Sequence, residues 1–294
     1  MGPSGLDQQA LLRRRPALAN IPLPPQPDVL RKVMAEYRQG TPDLPRIAGL
    51  ISADMSLSAA ILQAVNSPLF GLTKSVVSIQ QAIALLGLRW VLMLVRAVAF
   101  RAAWGDAAEH ARFWDTNNDV AALGMILARR LGTVDPEEVY ALCLFHDGGM
   151  LILMQRFPDY KNMLARLNRG DDCIQVDEEN SRYGMDHAEL GFLLGYTWML
   201  PQHLCRAIMA HHRPFRELLD KKTALGPDVL TPLALLKAAH QLSSVRRRLW
   251  RAEENPEWLR EGPEVMAYLG LEPADFLALQ DSILEELERD DAGG

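Results

Sequence analysis

The sequence predicts an all-α protein: an N-terminal helical half packed on a second helical half, with additional C-terminal helices. Three observations predict it. Apolar residues recur at helical spacing in segment after segment, and the segments begin and end on capping residues. No run alternates apolar and polar residues for long enough to found a sheet, and the nearest approach, Ile174-Gln175-Val176, is too short.

The first twenty residues contain Arg13-Arg14-Arg15 but no apolar stretch of the kind a secretion signal needs, and are expected to form a flexible N-terminal arm. Pro22, Pro24, Pro25 and Pro27 then remove backbone donors and favour extended neighbours, so Ile21 to Pro27 is a rigid strap. Val29, Val33 and Tyr37 lie at i, i+4 and i+8, and Gly40-Thr41-Pro42 ends that helix. Asp54 caps a helix carrying Leu57, Ile61 and Val65, which stops at Asn66-Ser67-Pro68. Ser78 with Gln81 makes a capping box, and Ile79, Ile83, Leu86, Trp90 and Leu94 predict one long buried helix reaching Ala103. After Gly105 the pattern resumes with Val120, Leu123, Leu127 and Leu131; Gly132 is the C-cap, and Pro136 opens the next helix. Asp186 with Glu189 caps another, and a helix beginning at Pro201 ends near His212-Arg213-Pro214. Asp220 to Asp228 reads as a loop, Thr231-Pro232 as a helix start, and Phe276, Leu279, Ile283 and Leu287 as the face of the last helix.

At 294 residues, 49% hydrophobic and with a formal charge of −6, the chain is expected to be globular and soluble, with one large or two small domains. The acidic balance removes the long-range attraction on which a non-specific nucleic-acid binder relies. Cys143, Cys173 and Cys205 form no C-x-x-C pair and are too few for a disulfide scaffold, which suits a reducing cytoplasm. The most apolar window, Ala82 to Phe100, contains Arg89 and Arg96, so no membrane span is expected. One basic run, Arg246, Arg247, Arg248 and Arg251 beside Trp250, could meet nucleic acid or an acidic partner. Glu253 and Glu254 offset it, and a solvated helix face is the preferred reading.

Chemistry is concentrated in the histidines, six of seven of which follow residue 140. His146-Asp147 ends an apolar helix before Gly148-Gly149, His187 follows a capping aspartate, and His211-His212 closes a helix. A vicinal His-Asp pair can bind a divalent metal, with further imidazoles completing the shell. Equally, a histidine at a helix C-terminus is favoured by the dipole alone, and spacing by itself prefers this structural reading.

Several blocks stand in one order over residues 21 to 215: Leu23-Pro24-Pro25-Gln26-Pro27, Ile51-Ser52-Ala53-Asp54-Met55-Ser56-Leu57, Ala64-Val65-Asn66-Ser67-Pro68-Leu69-Phe70-Gly71 and Ser78 to Gly87. Leu144-Phe145-His146-Asp147-Gly148-Gly149, Tyr183 to Gly191 and His211-His212-Arg213-Pro214 continue the series. Together they resemble the HDOD domain. The resemblance implies a relative of the HD metal-dependent phosphohydrolases with an added N-terminal helical half, belonging to a group of non-catalytic bacterial signalling modules. It divides the chain into an arm (1–20), an HDOD domain (21–219, with halves 21–104 and 105–219) and a C-terminal helical extension (220–294).

An active HD site also needs an upstream histidine and a late aspartate. Thr116 or Asn117 stands at the first position, and His240 at the second. His146, Asp147, His187, His211 and His212 therefore remain as a vestigial pocket whose end ligands are changed, with no catalytic residue and no cofactor expected. If a metal binds at all, it binds those five residues. The expectation is a cytoplasmic, non-enzymatic regulator acting through a protein partner of a signalling pathway, such as a receiver or sensor protein, with the pocket as a structural hub. A divergent metal-dependent phosphodiesterase is the alternative, and the sequence prescribes no oligomeric state.

Overall fold

The computed structural model describes residues 11–13, 15–105, 110–167, 175–220, 222, 225–247 and 255–293, with side chains 17, 247 and 290–293 set aside. Among these residues the fold is helical and contains no strand. The chain divides into two compact units, Pro24–Ala111 and Met1–Leu23 with Arg112–Gly294.

The first unit holds α1 (Asp28–Tyr37), α2 (Leu44–Ser52), α3 (Met55–Val65), α4 (Ile79–Leu86) and α5 (Leu88–Trp104). Its core is Leu30, Val33, Ile47, Ile51, Ile61, Val65, Ile79, Val91, Val95 and Phe100, all buried. The inward face of α1 is Leu30, Val33 and Met34 rather than the Val29, Val33, Tyr37 row of the sequence reading. α2 was not foreseen, although Asp43 caps it by accepting from the Arg46 amide at 3.0 Å. Asp54 caps α3 as expected, accepting from the Leu57 amide at 3.0 Å. The Asn66 amide then pins the following loop, donating to the Val76 carbonyl at 2.8 Å and accepting from its N–H at 2.7 Å. The long helix expected from Ser78 is two: Gly87, at φ +87°, breaks it into α4 and α5. That backbone conformation is open to glycine and strained for other residues.

No single helix among the described residues is long and apolar enough to cross a membrane. The bent pair α2 and α3, turning through 110°, passes that test only together. Ile47, Ile51, Ile61 and Val65 of that pair lie in the core just described, while Leu44 and Met55 are exposed.

The second unit comprises α6 (Ala111–Leu131), α7 (Pro136–Phe145), α8 (Gly148–Arg156), α9 (Tyr160–Leu167), α10 (Gln175–Tyr183), α11 (His187–Thr197), α12 (Gln202–Ala210), α13 (Phe215–Leu218), α14 (Pro227–Arg247), α15 (Pro256–Leu269) and α16 (Pro273–Gly293). α11 packs against α8 and α12, and α14 against α7, α12 and α15, so the C-terminal helices belong to this unit. α14 starts at Pro227, earlier than Thr231-Pro232 suggested; Pro232 lies in its second turn without stopping it. The last part of the expected arm is anchored here. Leu11 and Leu18 are buried, and the Arg15 guanidinium donates to Glu189 and Asn180, each at 2.9 Å.

The approach of α8 to α11 is set by glycine. A Cβ on Gly149 would collide with the His187 carbonyl and lie 2.8 Å from the Gly191 nitrogen, and one on Gly191 would lie 3.1 Å from the His146 carbonyl oxygen. Side-chain-free contact at this crossing brings the start of α8 against the start of α11.

Candidate metal centre

His146 and Asp147 occupy the joint between α7 and α8, His187 is the first residue of α11, His211 and His212 follow α12, and His240 lies on α14. Asp147 stands at the N-cap of α8 but makes no capping hydrogen bond. Its carboxylate turns instead to the imidazoles. Oδ2 lies 3.1 Å from His146 Nε2, while Oδ1 lies 3.5 Å from His187 Nε2 and 3.4 Å from His211 Nε2. His187 Nε2 is 3.2 Å from His211 Nε2 and 2.9 Å from His212 Nε2. His240 Nε2 is 2.8 Å from His146 Nε2.

The orientation of each ring is fixed from behind. His146 Nδ1 is 2.7 Å from the Cys143 carbonyl oxygen, and His211 Nδ1 is 2.6 Å from that of Ile208. A carbonyl oxygen only accepts, so both Nδ1 atoms carry the proton and donate it. In the neutral rings both Nε2 lone pairs therefore point at the Asp147 carboxylate, acceptors facing an acceptor. Only a cation, a proton or a metal, relieves that arrangement.

His187 is held by Glu179, which sequence reasoning missed. Glu179 Oε2 lies 2.7 Å from His187 Nδ1 and accepts from the His187 backbone N–H at 2.8 Å. Its other oxygen accepts from the Tyr160 hydroxyl at 2.5 Å and from the Gln175 amide at 2.9 Å. Glu179 and His187 are both fully buried. Behind an acidic run, Asp177-Glu178-Glu179, nothing in the spacing marks one carboxylate as inward, so no sequence signal distinguished it.

The charges follow. Burial opposes ionisation of Asp147, yet His146, His211 and His187 hold its carboxyl well below the usual range. Burial likewise opposes a charge on His187, but Glu179 and Asp147 push it up to about 9. Burial with neighbouring imidazoles lowers His211 and His212, and burial with His146 beside it brings His240 down to about 3. In the absence of metal the cluster thus keeps its proton on His187 and leaves the later histidines neutral, the form in which imidazole binds metal.

The donor atoms fit a divalent cation. Bonds of about 2.0–2.1 Å at tetrahedral or octahedral angles place ligand atoms about 2.9–3.4 Å apart. The separations between neighbouring donors run from 2.8 to 3.5 Å, and all donor atoms within a group lie within 4.8 Å of one another. They form two groups, Asp147 with His187, His211 and His212, and Asp147 with His146 and His240. All five residues expected in the pocket come together, and His240 joins them.

The two candidates for the upstream position separate cleanly. Thr116 turns its hydroxyl to the Arg112 carbonyl at 3.0 Å on an exposed face. Asn117 is buried and donates to the Leu144 carbonyl at 3.5 Å, so the inward position carries an amide engaged with backbone rather than an imidazole. The cations of α14 are engaged too. Lys237 Nζ donates to the His211 carbonyl at 2.7 Å and to Glu257 and Glu261 at 3.1 and 2.6 Å. Arg246 pairs with Asp119, which also accepts from Ser243 at 2.5 Å. Of the basic run, Arg246 is thereby committed to an ion pair, while Arg248 and Arg251 lie outside the described residues, as does the side chain of Arg247.

The family model of the HDOD domain matches residues 23–214. Among solved structures, the chain is similar to a protein of Shewanella amazonensis SB2B provisionally named a phosphohydrolase, at 24% identity and a TM-score of 0.70, covering 97% of each chain. It is also similar to an HDOD domain protein of unknown function from Geobacter sulfurreducens, at 22% identity and a TM-score of 0.68, covering 95% of this chain and 96% of that one. A third, from Marinobacter aquaeolei VT8 and provisionally named a signal transduction protein, shares 21% identity with a TM-score of 0.69, over 98% of this chain and 65% of the other. In sequence, an uncharacterized protein of Treponema pallidum (strain Nichols) is 27% identical over 199 residues, which are 65% of this chain and 37% of that protein. The chain thus spans well under half the length of this curated relative. At these identities the structural likeness is one of fold.

Proposed function

Because the chain belongs to the HDOD domain family, we propose that it is a regulatory module of bacterial signal transduction, acting on a protein partner rather than as an enzyme, with a divalent transition metal held in its histidine pocket. The observation that carries this reading is the composition of the pocket itself. Nitrogen donors with fixed orientation converge on Asp147, while the inward upstream position is Asn117, whose amide faces a backbone carbonyl. The fold-level likeness to the Marinobacter protein agrees with the signalling part.

Asp147, His187, His211 and His212 would hold the metal, which would supply cross-linking between α8, α11 and the end of α12 in place of an unpaired set of lone pairs. Hydrolysis asks for more: a group to protonate the leaving oxygen and a cation to grip the phosphate. Lys237 and Arg246, on the helix of His240, already have carboxylate partners. The rival reading, an HD-type phosphohydrolase, is favoured by one observation: Asp147, His212 and His240 are only half-buried, so the metal-facing side is reachable from solvent.

The test is elemental mass spectrometry on protein purified without chelator or metal-affinity resin, paired with an assay on bis(p-nitrophenyl) phosphate. Stoichiometric transition metal without turnover is expected. Metal-free, folded protein that takes up no added zinc overturns the metal centre. Robust turnover that Asp147→Ala abolishes overturns the non-enzymatic role.

A further inference from the structure

Residues 11–21 hold their own shape and reach the second unit through side chains. Their backbone hydrogen bonds close within the segment: the Arg15 N–H donates to the Leu11 carbonyl at 2.8 Å, that of Leu18 to Arg15 at 3.0 Å, and that of Ile21 to Leu18 at 3.2 Å. Leu11 and Leu18 are each 2% exposed. Between them Arg15 bridges α10 and α11, with Nη2 on Asn180 and Nε on Glu189. The seat it meets is braced independently of it. Asn180 donates to the Val176 carbonyl at 2.9 Å and to Asp186 at 2.5 Å, and Asp186 caps α11 by accepting from the Glu189 amide at 2.8 Å.

The match between arginine and seat is incomplete. Glu189, whose side chain is 8% exposed, gives Oε1 to Arg15, while its Oε2 is buried with no donor among the described residues. A buried oxygen left without a donor costs free energy, whereas an arginine laid fork-on satisfies both oxygens of a carboxylate at once. Arg15 divides its fork between Glu189 and Asn180, and its side chain is 41% exposed, which makes a weak ion pair. The seat can therefore be bound better than the chain's own arginine binds it.

We infer that the seat formed by Asn180, Asp186 and Glu189 is a docking site for a protein partner. The partner supplies a segment of the pattern Leu-x-x-x-Arg-x-x-Leu, which displaces residues 11–21 and sets its guanidinium on both oxygens of Glu189. The resident segment is the template for that pattern, with Leu11, Arg15 and Leu18 in those places. A tethered segment competes at an effective concentration of about millimolar, so displacement needs a ligand that binds more tightly, and the second oxygen of Glu189 is where such a ligand gains. The inference names the kind of partner for the regulatory reading above and rests on that reading.

The probe is a fluorescent synthetic peptide copying residues 11–21, added to the full chain and followed by anisotropy. The double variant Arg15→Ala/Leu18→Ala weakens the resident segment and is expected to bind the peptide about tenfold or more tighter than wild type. Adding Glu189→Gln to that variant, or replacing by alanine the arginine of the peptide that matches Arg15, should weaken binding about tenfold or more. Equal binding by wild type and the double variant overturns the inference, as does binding indifferent to Glu189→Gln, or no binding by a folded double variant. Wild type supplies a second measurement that needs no variant. In hydrogen exchange, residues 11–21 should open far faster than α11, and exchange as slow as that of α11 overturns the displacement. Peptide binding and phosphodiester turnover are separate assays, so the two failures are distinguishable. Absent displacement in a chain without turnover overturns this inference and leaves the regulatory reading standing, whereas turnover that Asp147→Ala abolishes overturns the regulatory reading and this inference with it.

Discussion

At the scale of single residues, the controlling element is Glu179. Four donors converge on it, and through His187 it reaches the cluster from outside. A carboxylate behind a ligating histidine fixes the ring and raises its basicity, and removing such a partner costs about 10–100-fold in metal affinity. Glu179→Gln keeps the shape but forces an amide against the ring, so zinc affinity measured by calorimetry is expected to fall within that range. The zinc affinity of Tyr160→Phe should change far less, because it removes only one of Glu179's four donors. An affinity in Glu179→Gln equal to that of wild type refutes the positioning role. Glu179 was invisible in the sequence for a physical reason: three adjacent acids in a helix differ only in the direction each one faces, and that direction is a property of the packed helix.

At the scale of elements, the capping chemistry was legible because it is local. Asp54, Ser78 and Asp186 each accept from a backbone amide three residues on, as their spacing indicated. Gly87 was harder, since apolar periodicity continues through it while the backbone does not. The crossing of α8 and α11 depends on Gly149, where a methyl group has no space. Gly149→Ala should destabilise the fold by at least about 1–3 kcal/mol, because the obstruction is backbone that cannot rotate aside. Urea unfolding checks this, and an unchanged midpoint contradicts the proposed close approach. The same variant should weaken zinc binding, because it moves His146 and Asp147 away from His187.

At the scale of the whole molecule, the family match ends at 214 while the compact unit continues through the C-terminal helices. α14 contributes Leu233, Ala234, Leu235 and Leu236, all buried, and also carries His240 and Lys237. A chain ending at residue 219 should therefore lose cooperative thermal unfolding of the second unit and its zinc capacity at once. Circular dichroism melts decide it, and a transition of unchanged midpoint and sharpness would show the C-terminal helices to be dispensable. In the intact chain, zinc at about 100 times its dissociation constant should add about 2.7 kcal/mol to the stability of the folded state, and chelator should remove it.

The sequence by itself determined the helical class, the caps of several helices, the family, and five of the six residues around the centre. These are carried by short-range spacing and by contiguous blocks, which a linear reading preserves. Only the tertiary structure decided that Asn117 and not Thr116 faces inward, that Glu179 orients His187, and that His240 meets His146 across 94 residues of chain. Each of those outcomes depends on the rotation of a helix about its own axis and on which helix it packs against. Neither quantity is fixed until the buried faces of the whole unit have been fitted together.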